Sequence, residues 1–351
     1  MSRTSDVRKI VYELRYEEEM EWAEIYDAFP DIPEASLRRL AYQERDSVRP
    51  NSDHAAAPHP RVEGSNLLGA EYDDADVWSR AVEESGKRRK KEQRKKNSAI
   101  EFSHGPIALV YLADVHAGST GVDYRRLDRD LSIIESTPGM YAVTVGDLVD
   151  NFIVGRLQAV RFGAKFTVRE EWVLAKMVLA RIGPKLVSSV AGNHDLWTFK
   201  TSGIDFLEEL LANINPGALY QRFDQPFILS VDSAEYAIRV RHNWRGSSIY
   251  NPTHGIERAA KFDKGRHFDV GIGAHTHASG LYRQFNNGGK TGHAILCGSY
   301  KVYDTFADET GYPLANESSA VAMVFSKDGA WGTNNLTLVS DYLYQLYEGG
   351  E

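Results

Sequence analysis

The sequence predicts an α/β layered body preceded by a small all-α unit, and three observations predict it. From residue 99 onward the chain consists of short β-rich runs separated by amphipathic stretches. The early runs alternate with helical segments, whereas the later ones follow one another with fewer helices between, which predicts a second half that is largely antiparallel. Before residue 49, apolar residues recur at helical spacing instead.

In the first 48 residues, one helix runs through VRKIVYELRYEEEM, with Ile10, Val11, Leu14 and Met20 as its apolar stripe. EWAEIYDAF (21 to 29) sets Trp22, Ile25, Tyr26 and Phe29 at the same spacing. PDIP (30 to 33) breaks that helix, and EASLRRLAYQER (34 to 45) forms a third with Leu37, Leu40 and Ala41 inward. Three short helices with a tight turn before the last resemble a helix-turn-helix or Myb-like module. The third helix carries Arg38, Arg39 and Arg45, which suit nucleic acid, while the first carries Glu17, Glu18, Glu19 and Glu21, which do not. Two readings stay open: nucleic-acid contact, or a protein-docking or purely structural bundle.

RPNSDHAAAPHPRV (49 to 62) reads as a linker. DDADVWSRAVEESGKRRKKEQRKKN (73 to 97) has helical composition and ends in a basic run. Its last part, KRRKKEQRKK (87 to 96), holds eight Lys or Arg and one Glu, a local +7 in a chain of net charge −8, so the other residues sum to −15. Such a block is either a solvated segment or a patch for polyanions, with Lys87, Arg88, Arg89 and Lys90 as candidate nucleic-acid contacts. The expected organisation is a helical unit over 1–48, a linker and basic helix over 49–98, and the α/β body over 99–345. Within that body the strand-like runs are AIEF (99 to 102), IALVYLADVH (107 to 116), MYAVTVGD (140 to 147), KLVSSVAG (185 to 192), PFILSVDS (226 to 233), YAIRVRHN (236 to 243), DVGIGAHTH (269 to 277), HAILCGS (293 to 299), AVAMVFS (320 to 326) and LTLVS (336 to 340). YRRLDRDLSIIEST and REEWVLAKMVLARIG read as helices between them.

With 351 residues, 42% of them hydrophobic and 26% charged, the composition is that of a soluble globular protein. The longest apolar runs, such as IALVYLA at 107 to 113, are strand-sized, and the start has no apolar core like that of a signal peptide. A cytoplasmic protein without membrane contact is the expectation. Cys297 is the one cysteine, so no intrachain disulfide and no thiolate zinc cage can form, and any metal must be held by His, Asp, Glu or Asn.

Several of the apolar runs end in residues of metal-ligand type. LADVHAGS supplies Asp114 and His116, VGDLVDN supplies Asp147, VAGNHDLW supplies Asn193, His194 and Asp195, VRHNWRG supplies His242, and IGAHTHASG supplies His275 and His277. Ligands of open α/β sheets bind beyond the carboxyl ends of strands, so these residues are expected to converge. Strand alternation is expected to point Asp114 with His116, and His275 with His277, the same way.

The ordered set Asp-x-His, Gly-Asp, Gly-Asn-His-Asp, His and Gly-x-His-x-His resembles the calcineurin-like metallophosphoesterase family over roughly 107 to 300. The resemblance implies a sandwich of two mixed sheets flanked by helices, with a two-metal centre between strand ends. It implies that Asp114, His116, Asp147 and His277 hold one metal and Asp147, Asn193, His242 and His275 the other, with Asp147 bridging. His194 would sit beside the phosphate as a general acid or charge stabiliser, with Asp195 fixing its orientation. Asn243 after His242, and Ala274 between Gly273 and His275, depart from the family's usual pattern, though the second leaves the ligand spacing intact. The oxygen and imidazole donor set suits Mn²⁺ first, with Fe²⁺, Zn²⁺, Ni²⁺ and Co²⁺ as further candidates. Two such ions would share an activated hydroxide and clamp an in-line displacement. Asn151, and His254 with Arg245 and Arg258, are candidate substrate contacts.

Three functions follow. The first is a nuclease acting on DNA, similar to the Mre11 and SbcD branch. The second is a phosphomonoesterase, or a small-molecule or cyclic-nucleotide phosphodiesterase, whose N-terminal unit docks a partner. The third is a DNA-binding or assembly module with a silent metal site, which the presence of every expected ligand argues against.

Overall fold

The computed structural model describes residues 3–18, 20–48, 74–96, 98–155, 161, 163–246, 248, 250–263, 267–303 and 319–347. The linker expected over 49–62 lies outside the described residues. Two compact units are present, Met1–Asp76 and Val77–Glu351.

The first unit holds three helices, α1 (Arg3–Tyr16), α2 (Trp22–Ala28) and α3 (Glu34–Val48). Val11, Ile25, Leu37 and Ala41 form its buried centre, with Val7, Leu14, Trp22, Tyr26 and Phe29 packed around it. Ile10, expected on the stripe, is 44% exposed. Val11, Leu14 and Met20 of that stripe do pack at the core, and Val7, one turn before Val11, joins them.

The division between the units falls in the first turn of α4 (Asp74–Lys96), on which Lys87, Arg88, Arg89 and Lys90 are exposed. Two six-stranded mixed sheets follow, which is the layered α/β class expected. The elements of the first sheet are β2 (Ile107–Leu112), β3 (Met140–Val145), β4 (Leu186–Val190), β5 (Leu219–Gln221), β11 (Val321–Ser326) and β12 (Gly329–Thr333), in the order β12-β11-β2-β3-β4-β5. The second sheet joins β1 (Ala99–Phe102), β6 (Gln225–Val231), β7 (Ala234–Val240), β8 (Val270–Gly273), β9 (Leu281–Asn287) and β10 (Lys290–Leu296), in the order β1-β6-β7-β8-β10-β9. Its β7, β8 and β10 run parallel, so the largely antiparallel second half that was expected is in fact mixed.

Strand β2 shows how the layers form, since all six of its residues are buried. Ile107, Leu109 and Tyr111 face a core shared with Phe227, Leu229, Ile238, Val240, Ile272 and Met323, between the sheets. Ala108, Val110 and Leu112 face the opposite core. That core is completed by α5 (Tyr124–Ser136), α6 (Val168–Ile182), α8 (Phe206–Ile214) and α10 (Leu336–Tyr347). The remaining helices are α7 (Asn193–Ser202) and α9 (His254–Phe262).

LTLVS, read as a strand, is the first part of α10. Asn335 accepts the Leu338 amide through Oδ1 at 3.1 Å, and Leu336, Val339 and Leu343 are buried at helical spacing. A five-residue apolar run does not distinguish the two periods, and the cap together with the i, i+3, i+7 burial settles it as helix.

Candidate metal centre

The expected ligands lie just past the ends of their strands, in tight loops. Asp114 and His116 follow β2, Asp147 follows β3, His242 follows β7, and His275 and His277 follow β8. Strand alternation does not align the pairs. Asp114, His116, Asp147, Asn151, His275 and His277 all adopt left-handed backbone with φ between 44° and 77°. Only one other non-glycine among the described residues, Asp232, does so. Each such residue costs about 1–2 kcal/mol, and their concentration in one place marks a site that the surrounding structure forces into shape.

Two glycines permit the crowding. Gly146 has φ 89°, and a Cβ there would lie 2.5 Å from the Gly192 nitrogen and 2.8 Å from His242 Nδ1. A Cβ on Gly192 would lie 2.0 Å from Asp147 Oδ1. Backbone bonds lock the loops together: the Asp114 amide donates to the Gly146 carbonyl, and the His116 amide to the Asp147 carbonyl, each at 3.0 Å. The His275 amide donates to Asp114 Oδ2 at 2.9 Å, and the His194 amide to Asp147 Oδ1 at 2.8 Å.

The side chains converge in two lobes. Asp114, His116 and His277 form one, and Asp147, His242 and His275 the other; Asp147 also groups with His116 and His194. In the first lobe, Asp114 Oδ1 lies 3.4 Å from His277 Nε2 and 3.8 Å from His116 Nε2, and the two imidazole nitrogens are 3.0 Å apart. In the second, His242 Nε2 lies 3.1 Å from both Asp147 Oδ2 and His275 Nδ1.

Chemically, these groups fit a divalent cation. Asp114 Oδ1 is buried and accepts no hydrogen bond among the described residues. His242 Nδ1 meets the Val145 carbonyl at 2.8 Å; a carbonyl can only accept, so that nitrogen carries the proton and Nε2 presents a lone pair towards a carboxylate oxygen. Facing lone pairs at this range need a shared proton or a metal ion. Two nitrogens each about 2.1 Å from one ion and about 90° apart would be about 3 Å from each other. Without an ion, protons take its place. Burial alone would lower His242 and His116, but Asp147 raises the first to about 10, and Asp114 with Asp150 raises the second to about 9. Burial would raise Asp114 and Asp147, yet the surrounding imidazoles hold both carboxyls below their ordinary value.

His194 is buried against Phe152 and Trp197, at centroid separations of 4.9 and 4.0 Å. Its Nδ1 meets the Asp150 carbonyl at 2.5 Å, so the ring is the Nδ1–H tautomer. Burial lowers it to about 4 despite the nearby Asp147. The metal-free chain therefore holds this ring neutral at pH 7, with the proton on Nδ1 and Nε2 bare. Asp195 does not orient it. The Asp195 carboxylate accepts the amides of Asp147, Leu148 and Gly192, so the Asp150 carbonyl, not Asp195, sets the ring.

Asn193 opens α7, one residue before His194, and is half-buried. Asn151 lies in the loop after β3. It is fully buried, and its Nδ2 donates to the His194 carbonyl at 2.7 Å and to Thr198 Oγ1 at 3.0 Å, so it braces the loop from within. Arg245 and Arg258 are exposed and His254 opens α9; none belongs to the lobes above. Arg39 is exposed on α3, while Arg38 lies over the Trp22 and Tyr26 rings at 5.2 and 5.6 Å. Two neighbours of the cluster were not singled out from sequence, Asp150 and Lys301. Asp150 stands inside the quoted VGDLVDN, a signal that was available; Lys301 follows β10 with no local mark.

No family model and no curated protein matches the chain. Several solved structures are similar to it. They include the calcineurin-like phosphoesterase YfkN from Bacillus subtilis, at 12% identity over 69% of this chain and 96% of that one, TM-score 0.33. The nuclease MPE from Pseudomonas putida is similar at 12% identity over 64% and 87%, TM-score 0.30. Vacuolar Protein Sorting 29 from Cryptosporidium parvum is similar at 14% identity over 65% and 96%, TM-score 0.31. Among the described residues, no helix is long and apolar enough to cross a membrane.

Proposed function

We propose that this chain is a metal-dependent phosphoesterase that hydrolyses phosphodiester bonds, with DNA as its substrate. The observation that carries the reading is the pair of lobes, Asp114–His116–His277 and Asp147–His242–His275, built on strained loops and lacking any thiolate. This donor set suits Mn²⁺ and neighbouring borderline ions. A pair of such ions would lower the pKa of a bound water and neutralise phosphate oxygens in an in-line displacement.

The chain's own residues do the rest. His242 is held by the Val145 carbonyl with Nε2 inward, and Asp114 is held by the His275 amide with Oδ1 inward. His194, held by the Asp150 carbonyl beside Asp147, would sit next to the phosphate as a charge stabiliser or proton donor to the leaving oxygen. Support for a polyanionic substrate comes from the exposed Lys87, Arg88, Arg89 and Lys90 of α4, which would draw a phosphate backbone.

One observation favours a second reading, a phosphomonoesterase or small-molecule phosphodiesterase with an N-terminal docking unit. Arg38 spends its guanidinium on Trp22 and Tyr26 within the bundle, as a structural residue would. The two readings separate in one assay: hydrolysis with Mn²⁺ of bis-p-nitrophenyl phosphate, p-nitrophenyl phosphate and labelled single- and double-stranded DNA. Asp147→Asn should reduce every activity by at least about 100-fold, because it removes charge from both lobes. DNA cleavage lost in that variant supports the first reading. Turnover of small esters with DNA untouched supports the second, and no hydrolysis of any ester removes both.

A further inference from the structure

We propose that Lys301, acting through Asp150, fixes the orientation of His116 and thereby sets the affinity of the Asp114–His116–His277 lobe for a divalent cation. This rests on the metal-centre reading above. Asp150 Oδ1 lies 3.2 Å from His116 Nδ1 and 3.0 Å from Lys301 Nζ. The Lys301 side chain is 4% exposed, so its ammonium is a buried charge held opposite a carboxylate.

Both members are anchored by backbone close to the ligands they serve. Lys301 pairs with Val122 in an isolated bridge, and its amide donates to Ser299 Oγ, the same hydroxyl that donates to the Asp114 carbonyl. The Asp150 amide donates to the Ala117 carbonyl at 3.2 Å, one residue beyond His116. Asp150 arrives from the β3 end of the first sheet and Lys301 from the β10 end of the second. The pair therefore reaches His116 from both sheets.

The Asp150 carboxylate lies beside Nδ1 without making a hydrogen bond to it, so it holds the ring by charge, with Nε2 turned towards His277 and Asp114. The ammonium has a second consequence. Asp150 is a third carboxylate near Asp114 and Asp147, and Lys301 occupies the oxygen that would otherwise compete as a ligand. A buried ion pair alone is weak evidence of a role, since apolar replacements are often tolerated. What sets this pair apart is its shared oxygen: Oδ1 faces the imidazole and the ammonium together, so losing either partner changes what the other meets.

The test is calorimetric titration of the metal-free full chain with Mn²⁺, for wild type, Asp150→Asn, Lys301→Met, Lys301→Arg and the Asp150→Asn/Lys301→Met double variant. Wild type should bind in two steps. Asp150→Asn should weaken one step about 10- to 100-fold and Lys301→Met the same step about 10-fold, with the other step within about 2-fold. The double variant should bind no more weakly than Asp150→Asn alone, because the effect of Lys301 on this lobe runs through Asp150, and Lys301→Arg should stay near wild type. Parallel weakening of both steps, additive losses, or unchanged binding would overturn the proposal. If Lys301→Met does not melt cooperatively, Asp150→Asn and Lys301→Arg carry the test. Wild type that takes up no Mn²⁺ refutes the metal-centre reading itself, an outcome distinct from a defect confined to the variants.

Discussion

Asp195 Oδ2 accepts the Asp147 amide at 2.8 Å and the Gly192 amide at the same distance, so one carboxylate ties the loop after β3 to the start of α7. Its other oxygen accepts the Leu148 amide at 2.9 Å. The two loops carry Asp147, Asn193 and His194, and their separation is set by this buried side chain. Asp195→Asn keeps the shape but turns an NH2 group towards amide donors. It should destabilise the chain by about 1–3 kcal/mol in urea unfolding and weaken Mn²⁺ binding in parallel. Loss of hydrolysis with stability and metal affinity unchanged would place Asp195 in the chemistry instead.

The glycines of the same two motifs make a sharper test of geometry. At Gly192 an added methyl would lie 2.0 Å from Asp147 Oδ1, and at Gly146 it would strike both the Gly192 backbone and the His242 ring. Gly146 also needs its positive φ of 89°. Gly192→Ala should cost about 1–3 kcal/mol and displace the Asp147 carboxylate, lowering metal affinity at both lobes. Gly203→Ala, at a helix end where nothing lies within 4 Å, is the comparison. It carries only the φ cost of about 1–2 kcal/mol and should leave metal binding intact. Equal metal affinity in the two variants would refute the steric account.

Stability of the metal-free chain should fall as pH rises from 7 to 10. His116 and His242 have folded values of about 9 and 10, raised above the unfolded 6.5. Over that window the folded state binds more protons than the unfolded one, so the slope of unfolding free energy with pH is negative. The contribution is fully present below the unfolded value and is lost as pH passes through the folded ones. A metal ion requires the neutral imidazoles, so its binding should release protons and its affinity should rise over the same window. Melting temperatures in chelator, with and without excess Mn²⁺, check both signs. A metal-free melting temperature that is flat or rises towards pH 10 contradicts the assignment.

Much of the site was legible because each of its ligands ends an apolar run, and a strand end is where such residues can meet. How they meet was not. Asp114 and His116 turn inward through left-handed backbone beyond β2, a conformation that strand alternation does not describe. Lys301 was invisible for a different reason: it lies 151 residues from Asp150 and reaches it only through the return of β10 beside β8. Strand β12 was missed because GAWGT carries two glycines and no apolar run, and β9 because LYRQFNN is a partly exposed edge strand. Both are held in place by an antiparallel neighbour.

Under the nucleic-acid reading, the exposed cations of α4 should act through charge alone. Lys87 is shared with Glu83 and Glu84 at 3.0 and 2.8 Å, which leaves Arg88, Arg89 and Lys90 as the groups to remove. Replacing those three by Ala should make the slope of log affinity for double-stranded DNA against log salt shallower by about 3, with thermal stability nearly unchanged. Arg38→Ala should behave in the opposite way. Its guanidinium stacks on Trp22 and Tyr26, so its loss should lower the stability of the three-helix unit by about 0.5–1 kcal/mol and leave the salt slope alone. A salt slope that changes with Arg38 and not with the α4 residues would move the nucleic-acid contact from the basic helix to the bundle.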